Sequence, residues 1–153
     1  MDLPAPRLRF SFEVRVDVGP PRHVGRGPGE VLEFVPITGG TVDGPDLSGS
    51  IVPGGGDWMI TRGDTIELDA RYLIEADDGA LVDVVNHGYF RADPAQVARL
   101  DAGEAVPEGE YYFRTSPRFR TDAPRHAWLA GHVFVGLARE EERQIRIRFF
   151  VVE

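Results

Sequence analysis

The chain has no cysteine, and no lysine occurs anywhere in it. The first absence excludes disulfides, thiol nucleophiles, iron–sulfur clusters and zinc sites built on cysteine. The second excludes Schiff-base chemistry, a lysine general base and a Walker-type phosphate loop. All 17 basic side chains are therefore arginines, set against 25 acidic ones for a net charge of −8. Phosphate recognition rests on a basic excess that is missing here, so nucleic acid is not an expected partner. No apolar run approaches the ~20 residues of a membrane span, and Met1-Asp2-Leu3-Pro4 lacks the charged and apolar regions of a signal peptide. The expectation is a cytoplasmic protein with no membrane partner. Serine is scarce as well: Ser11, Ser48, Ser50 and Ser116 stand outside any Gly-x-Ser-x-Gly elbow, which argues against a serine hydrolase.

What the sequence does have is glycine (18), proline (12) and alternation. Leu8, Phe10, Phe12, Val14, Val16 and Val18 alternate with Arg7, Arg9, Ser11, Glu13, Arg15 and Asp17, the period of a half-buried strand. Near the other end Ile145, Ile147, Phe149 and Val151 alternate with Gln144, Arg146 and Arg148. Two such ends can pair and close a sheet into a barrel without exposed edges. Between them, turn signals such as Gly19-Pro20-Pro21, Gly39-Gly40 and Asp43-Gly44-Pro45 separate pieces rich in Val, Ile, Phe, Tyr and Trp. Those pieces are 30–37, 48–53, 57–62, 65–76, 80–90, 110–115 and 127–137, and Asp77-Asp78-Gly79 is placed to join two of them as a tight hairpin. The Gly/Pro-rich stretch 19–29 reads as a mobile loop. One short helix is expected around 94–102: Asp93 and Gln96 form a capping box, Pro94 suits the first turn, Val97 and Leu100 would face inward, and Gly103 would end it. The length fits one domain over 1–153, an all-β antiparallel barrel of about eight to nine strands. Residues 31–37 and 127–137 are apolar on both faces, so their outer faces need a cover, which favours a homo-oligomer.

Several groups of residues could carry chemistry. Gly54-Gly55-Gly56-Asp57-Trp58 is followed by a strand rather than a helix, which excludes a phosphate loop. It leaves a pocket rim or a tight turn that packs Trp58 into the core. Glu67, Asp69 and Arg71 share a strand face, and two residues of strand separate neighbours there by roughly 6.6 Å. That spacing suits an inverting glycosidase, although a solvated face of alternating charge explains it more simply. Tyr112 and Arg114 share another face, where a phenol beside a guanidinium can hold a carboxylate or enolate. His126 and His132 lie about 20 Å apart if extended, too far to share an ion, so no metal is expected; no cofactor motif occurs either.

The stretches Gly49–Trp58, Leu68–Tyr72, Asp77–Ala80, Asn86 with Gly88, Tyr112–Thr115 before Pro117, Phe119 and Thr121, and Trp128-Leu129 together resemble a bacterial family catalogued as domain of unknown function 3237. In two places the chain departs from the family's pattern. Phe119-Arg120-Thr121 replaces Phe-Glu-Thr, and Trp128-Leu129-Ala130 replaces Trp-Leu-Asn. The resemblance implies an antiparallel barrel and one recurring constellation: Asp57, Trp58, Asp69, Arg71, Asn86, Tyr112, Arg114 and Trp128.

The leading expectation is a barrel pocket for a small organic acid or carbonyl compound, with cofactor-free isomerase, cyclase or lyase-type proton transfer. In it Asp57 would be the base, Tyr112 a donor, Arg71 and Arg114 the anion contacts, and Trp58 and Trp128 the walls. The alternative is a non-catalytic binding or assembly module in which these charges form a structural network; a sugar hydrolase comes third.

Overall fold

The computed structural model describes residues 1–153. The alternating amino-terminal segment forms β1 (Leu8–Val18) and the alternating carboxy-terminal segment forms β9 (Gln144–Val152). The two pair antiparallel from Leu8↔Val152 to Asp17↔Gln144. Between them lie β2 (Arg22–Gly27), β3 (Glu30–Asp43), β4 (Gly49–Arg62), β5 (Thr65–Ala76), β6 (Leu81–Arg91), β7 (Tyr112–Arg120) and β8 (Phe134–Glu141). The order around the sheet is β1-β9-β8-β7-β6-β5-β4-β3-β2, and β1 also pairs with β3, from Glu13↔Asp43 to Val18↔Ile37. Eight strands thus form a closed barrel, with β2 extending the hairpin it makes with β3.

Closure decides which residues meet. Strand neighbours directly opposite one another share a face, so the register places Phe12, Val14, Ile51, Leu68, Tyr72, Ile74, Val82, Val84, Phe119, Ile147 and Phe149 inside, where all are buried. Asp77-Asp78-Gly79 makes the β5–β6 hairpin, with Gly79 at φ 84°, a conformation that costs a glycine little. The helix α1 (Pro94–Asp101) carries its capping box: Gln96 N–H donates to Asp93 Oδ1, and Asp93 N–H donates to Gln96 Oε1, each at 2.9 Å. Leu100 packs on the core, but Val97 is exposed, so α1 meets the core along one short contact only.

Three expectations change. Residues 19–29 are not a loop throughout: Arg22–Gly27 is a strand, held to β3 by backbone bonds that leave no mark in side-chain pattern. Pieces 48–53 and 57–62 are a single strand, β4, whose register to β5 shifts between Val52 and Gly56. Residues 127–137 are not one strand. Ala127–Gly131 form a 3-10 turn and β8 begins at Phe134, so Trp128 and Leu129 never occupy opposite strand faces. The turn buries Leu129 and half-buries Trp128 against Phe134 (5.9 Å between ring centroids), while Val133 beside it is exposed. His126, at the turn's start, bonds the hairpin carboxylate Asp78 Oδ2 at 2.8 Å and ties the turn across that end of the barrel.

Candidate active site in the barrel lumen

The two ends of the barrel differ in exposure. Inward positions toward the β5–β6 hairpin (Ile37, Val42, Ile51, Tyr72, Ile74, Ala76, Val82, Val84) are buried. Toward the β4–β5 turn the inward positions Val31, Glu33, Met59, Thr61, Ile66 and Ala70 are partly exposed while Leu68 and Phe90 are buried, so this is the more open end of the barrel. Asp57 stands just below this mouth. The register sets it opposite Val35 on β3 and Ala70 on β5, and Ala70 in turn opposite Asn86 on β6. With strands about 4.8 Å apart, the Asp57 and Asn86 backbones are separated by about 10 Å, with only the methyl of Ala70 between.

One Asp57 oxygen, Oδ1, accepts from the Asp69 N–H at 2.9 Å. That bond favours the charged form, but burial outweighs it, and the carboxyl is pushed up to about 6 from its ordinary 3.8. Tyr72, one inward step past Ala70, is held protonated well above the ordinary phenol value by burial, and the neighbouring charge of Asp57 adds to this. Its hydroxyl has no hydrogen-bond partner, and neither do Asn86 Oδ1 or Thr115 Oγ1, although all three atoms are buried. Each unmet group of this kind costs roughly 1–3 kcal/mol. Gly55 makes room for the tyrosine: a Cβ there would stand 2.7 Å from Tyr72 Cβ. A carboxyl near neutrality, with the buried Tyr72 phenol and Asn86 amide below it, can take up a proton, return it and orient a polar substrate.

Of the residues singled out in the sequence, the lumen gathers Asp57 and Asn86. The others stand elsewhere. Trp58 points outward, 46% exposed, against Phe34 with 5.0 Å between centroids, and so lines neither the lumen nor the core. Asp69 and Arg71 lie on the outer face of β5, with Arg71 reaching Asp83 at 3.5 Å. Their neighbour Glu67 accepts from Arg62 at 2.7 Å and bonds His87 at 3.0 Å on that same outer face, so no glycosidase cleft forms around these carboxylates. Tyr112 and Arg114 stay together, but on the outside of β7. Trp128 belongs to the 3-10 turn. The strand alternation that groups residues by face also separates Asp57 from Trp58 and Asp69 from Ala70, and a motif contiguous in sequence is thereby divided between lumen and surface. Tyr72 and Thr115 are the additions the sequence reading missed. No three His, Asp or Glu side chains converge to hold a metal ion, and no helix is long and apolar enough to cross a membrane.

The family model described as "Protein of unknown function (DUF3237)" matches residues 6–152, and the chain belongs to that family. A "UPF0311 protein" of Rhodopseudomonas palustris is 38% identical over 145 residues, covering 93% of this chain and 94% of that one. The crystal structure of a conserved protein of unknown function from the same species superposes with a TM-score of 0.90 at 35% identity, covering 99% of this chain and all of that one. A more distant relative from Penicillium herquei, named as a hydroalkoxylation enzyme, is 35% identical over 77 residues, 49% of this chain and 50% of that protein.

Proposed function

We propose that the lumen mouth binds a small neutral carbonyl compound and that Asp57 moves a proton on it without a cofactor. The observation that carries this reading is a carboxyl pushed up to about 6, standing beside buried polar atoms that have no partner in the chain. Arg71 and Arg114, the two arginines expected to hold an anion, both face out, which disfavours an organic acid in the lumen. Above pH 6 the Asp57 charge would repel one. A carbonyl fits better: Tyr72 O–H donates to the substrate oxygen, and the Asn86 Oδ1 acceptor orients a hydroxyl.

The supporting chemistry is the addition of a hydroxyl across a double bond, the reaction type named for the Penicillium relative, taken here within one substrate molecule. Asp57 takes the proton from the substrate hydroxyl as that oxygen bonds to the alkene carbon β to a carbonyl. The electron pair of the C=C bond passes to the carbonyl oxygen, where the Tyr72 hydroxyl stabilises the enolate. Asp57 then returns the same proton to the α carbon, so the product is an isomer of the substrate and no co-reactant is consumed. A carboxyl near 6 suits both transfers at neutral pH, because it is largely ionised yet basic enough to accept.

A hydroxyaryl enone, which loses its long-wavelength absorbance on cyclising, tests this. The protein accelerates ring closure, the rate rises with pH through about 6, and Asp57→Asn abolishes the acceleration while keeping the fold. Equal acceleration by wild type and Asp57→Asn, or none by either, contradicts the proposal.

A further inference from the structure

Outside the barrel, over β6 to β9, lies a groove of about 590 Å³, within the range of small-molecule sites. Its floor is apolar (Val135, Leu137 and Phe150) and its rim carries Tyr112 and Arg114. It opens where β7 and β8 part company: only Arg114↔Leu137 and Thr115↔Gly136 pair between those strands. It is distinct from the surroundings of Asp57: Tyr112, Arg114, Val135, Leu137 and Phe150 project from the outer face of the strands, with Thr115 and Gly136 lining the groove between them.

The Arg91 and Arg114 guanidinium carbons lie 4.6 and 5.5 Å from the Tyr112 ring centroid, so two cations share one phenol. Neither forms an ion pair, although acidic side chains outnumber basic ones by 25 to 17, and nine other arginines are paired. Arg118 and Arg120, on the same outward side of β7, are unpaired as well. Arg114 Nη1 donates to the Phe113 carbonyl at 2.9 Å, which fixes the head group and leaves its remaining N–H groups free. Two neighbouring cations without an anion, beside an apolar floor, complement a ligand with one negative head and a hydrocarbon body. They oppose a two-fold contact between copies centred here, which would set Arg91 and Arg114 against themselves.

We propose that this outer groove binds an amphipathic monocarboxylate, with the carboxylate on Arg114 and the Tyr112 hydroxyl and the chain along Val135, Leu137 and Phe150. Decanoate is the probe and decanol its neutral counterpart, followed by calorimetry and by backbone amide shifts. Decanoate binds saturably at submillimolar concentration, Arg114→Gln weakens it at least tenfold, decanol binds at least tenfold more weakly, and Asp57→Asn leaves binding unchanged. In wild type the shifts fall on β7 to β9 rather than on Asp57, Ala70 and Asn86, a readout that survives should the arginine variant not fold. Four results overturn the proposal: no saturable binding, equal affinity for decanol, loss through Asp57→Asn, or an Arg114→Glu variant that sediments as a smaller species than wild type, which would mean a second copy covers the groove.

Discussion

The two walls of the lumen are built on opposite plans. From β1, β7, β8 and β9 come Phe12, Phe119, Phe134 and Phe149, packed ring to ring with centroids 5.0–5.6 Å apart and almost no exposed surface. From β4, β5 and β6 come Asp57, Ala70, Tyr72 and Asn86: small or polar, and in three of the four cases bearing a group that is raised in pKa or lacks a partner. The aromatic wall stabilises the fold. The polar wall costs stability, as the proposed function requires of a preorganised site. An eight-stranded barrel is just wide enough to be filled by its own side chains or to hold one small ligand, and under the proposed function the aromatic half is filled while the polar half takes the ligand.

The comparison predicts opposite signs for substitutions on the two walls. The largest effect is expected from Phe149→Ala, which opens a cavity beside the Phe12 and Phe119 rings and lowers unfolding free energy by about 3–5 kcal/mol in urea titrations; a loss under ~1 kcal/mol would mean that wall is loosely packed. Asp57→Asn should act the other way. The folded-state value of about 6 lies above the ordinary 3.8, so the folded chain holds this proton more tightly than the unfolded one. The stability it contributes is complete below about pH 4 and lost as pH rises through about 6. Asparagine keeps the acceptor for the Asp69 N–H and carries no charge, so the variant should be more stable than wild type by about 3 kcal/mol at pH 8 and nearly equal to it at pH 3.5. Tyr72→Phe removes a buried hydroxyl that has no partner and should be neutral or stabilising by about 1 kcal/mol in the same titrations, while slowing enone cyclisation. Arg71→Ala should be smallest. Its guanidinium is 65% exposed and 3.5 Å from Asp83, and thermal melts should register less than about 1 kcal/mol.

The aromatic wall was legible in the sequence and much of the polar wall was not. Phe12, Val14 and Val16 against Ile145, Ile147 and Phe149 announce two inward faces by period alone, and the closure of β1 on β9 follows from burying both. The 3-10 turn at Ala127–Gly131 escaped because its Trp, Leu and Ala spacing is also compatible with a two-sided strand, and five residues are too few for a helical period. β2 escaped because an edge strand is held by its backbone. In the site, Asp57 and Asn86 stood out as polar residues in a motif. Tyr72 sat in the same alternation as Ile66, Leu68 and Ala70 and passed for ordinary core. The available signal was that a buried tyrosine needs a partner for its hydroxyl, and none of the inward alternating residues of β5 offers one. Outward pairs such as Tyr112 and Arg114 were correctly placed together, but which side of the sheet they faced depended on a register that a single strand does not reveal.

The most direct test of the polar wall is the titration of Asp57 itself, followed as the carboxylate infrared band or side-chain carbon shift present in wild type and absent from Asp57→Asn. The account predicts a midpoint near pH 6. A midpoint at the ordinary carboxyl value near 4 would mean that Asp57 is solvated like any surface acid, and the lumen would lose its claim to be a site.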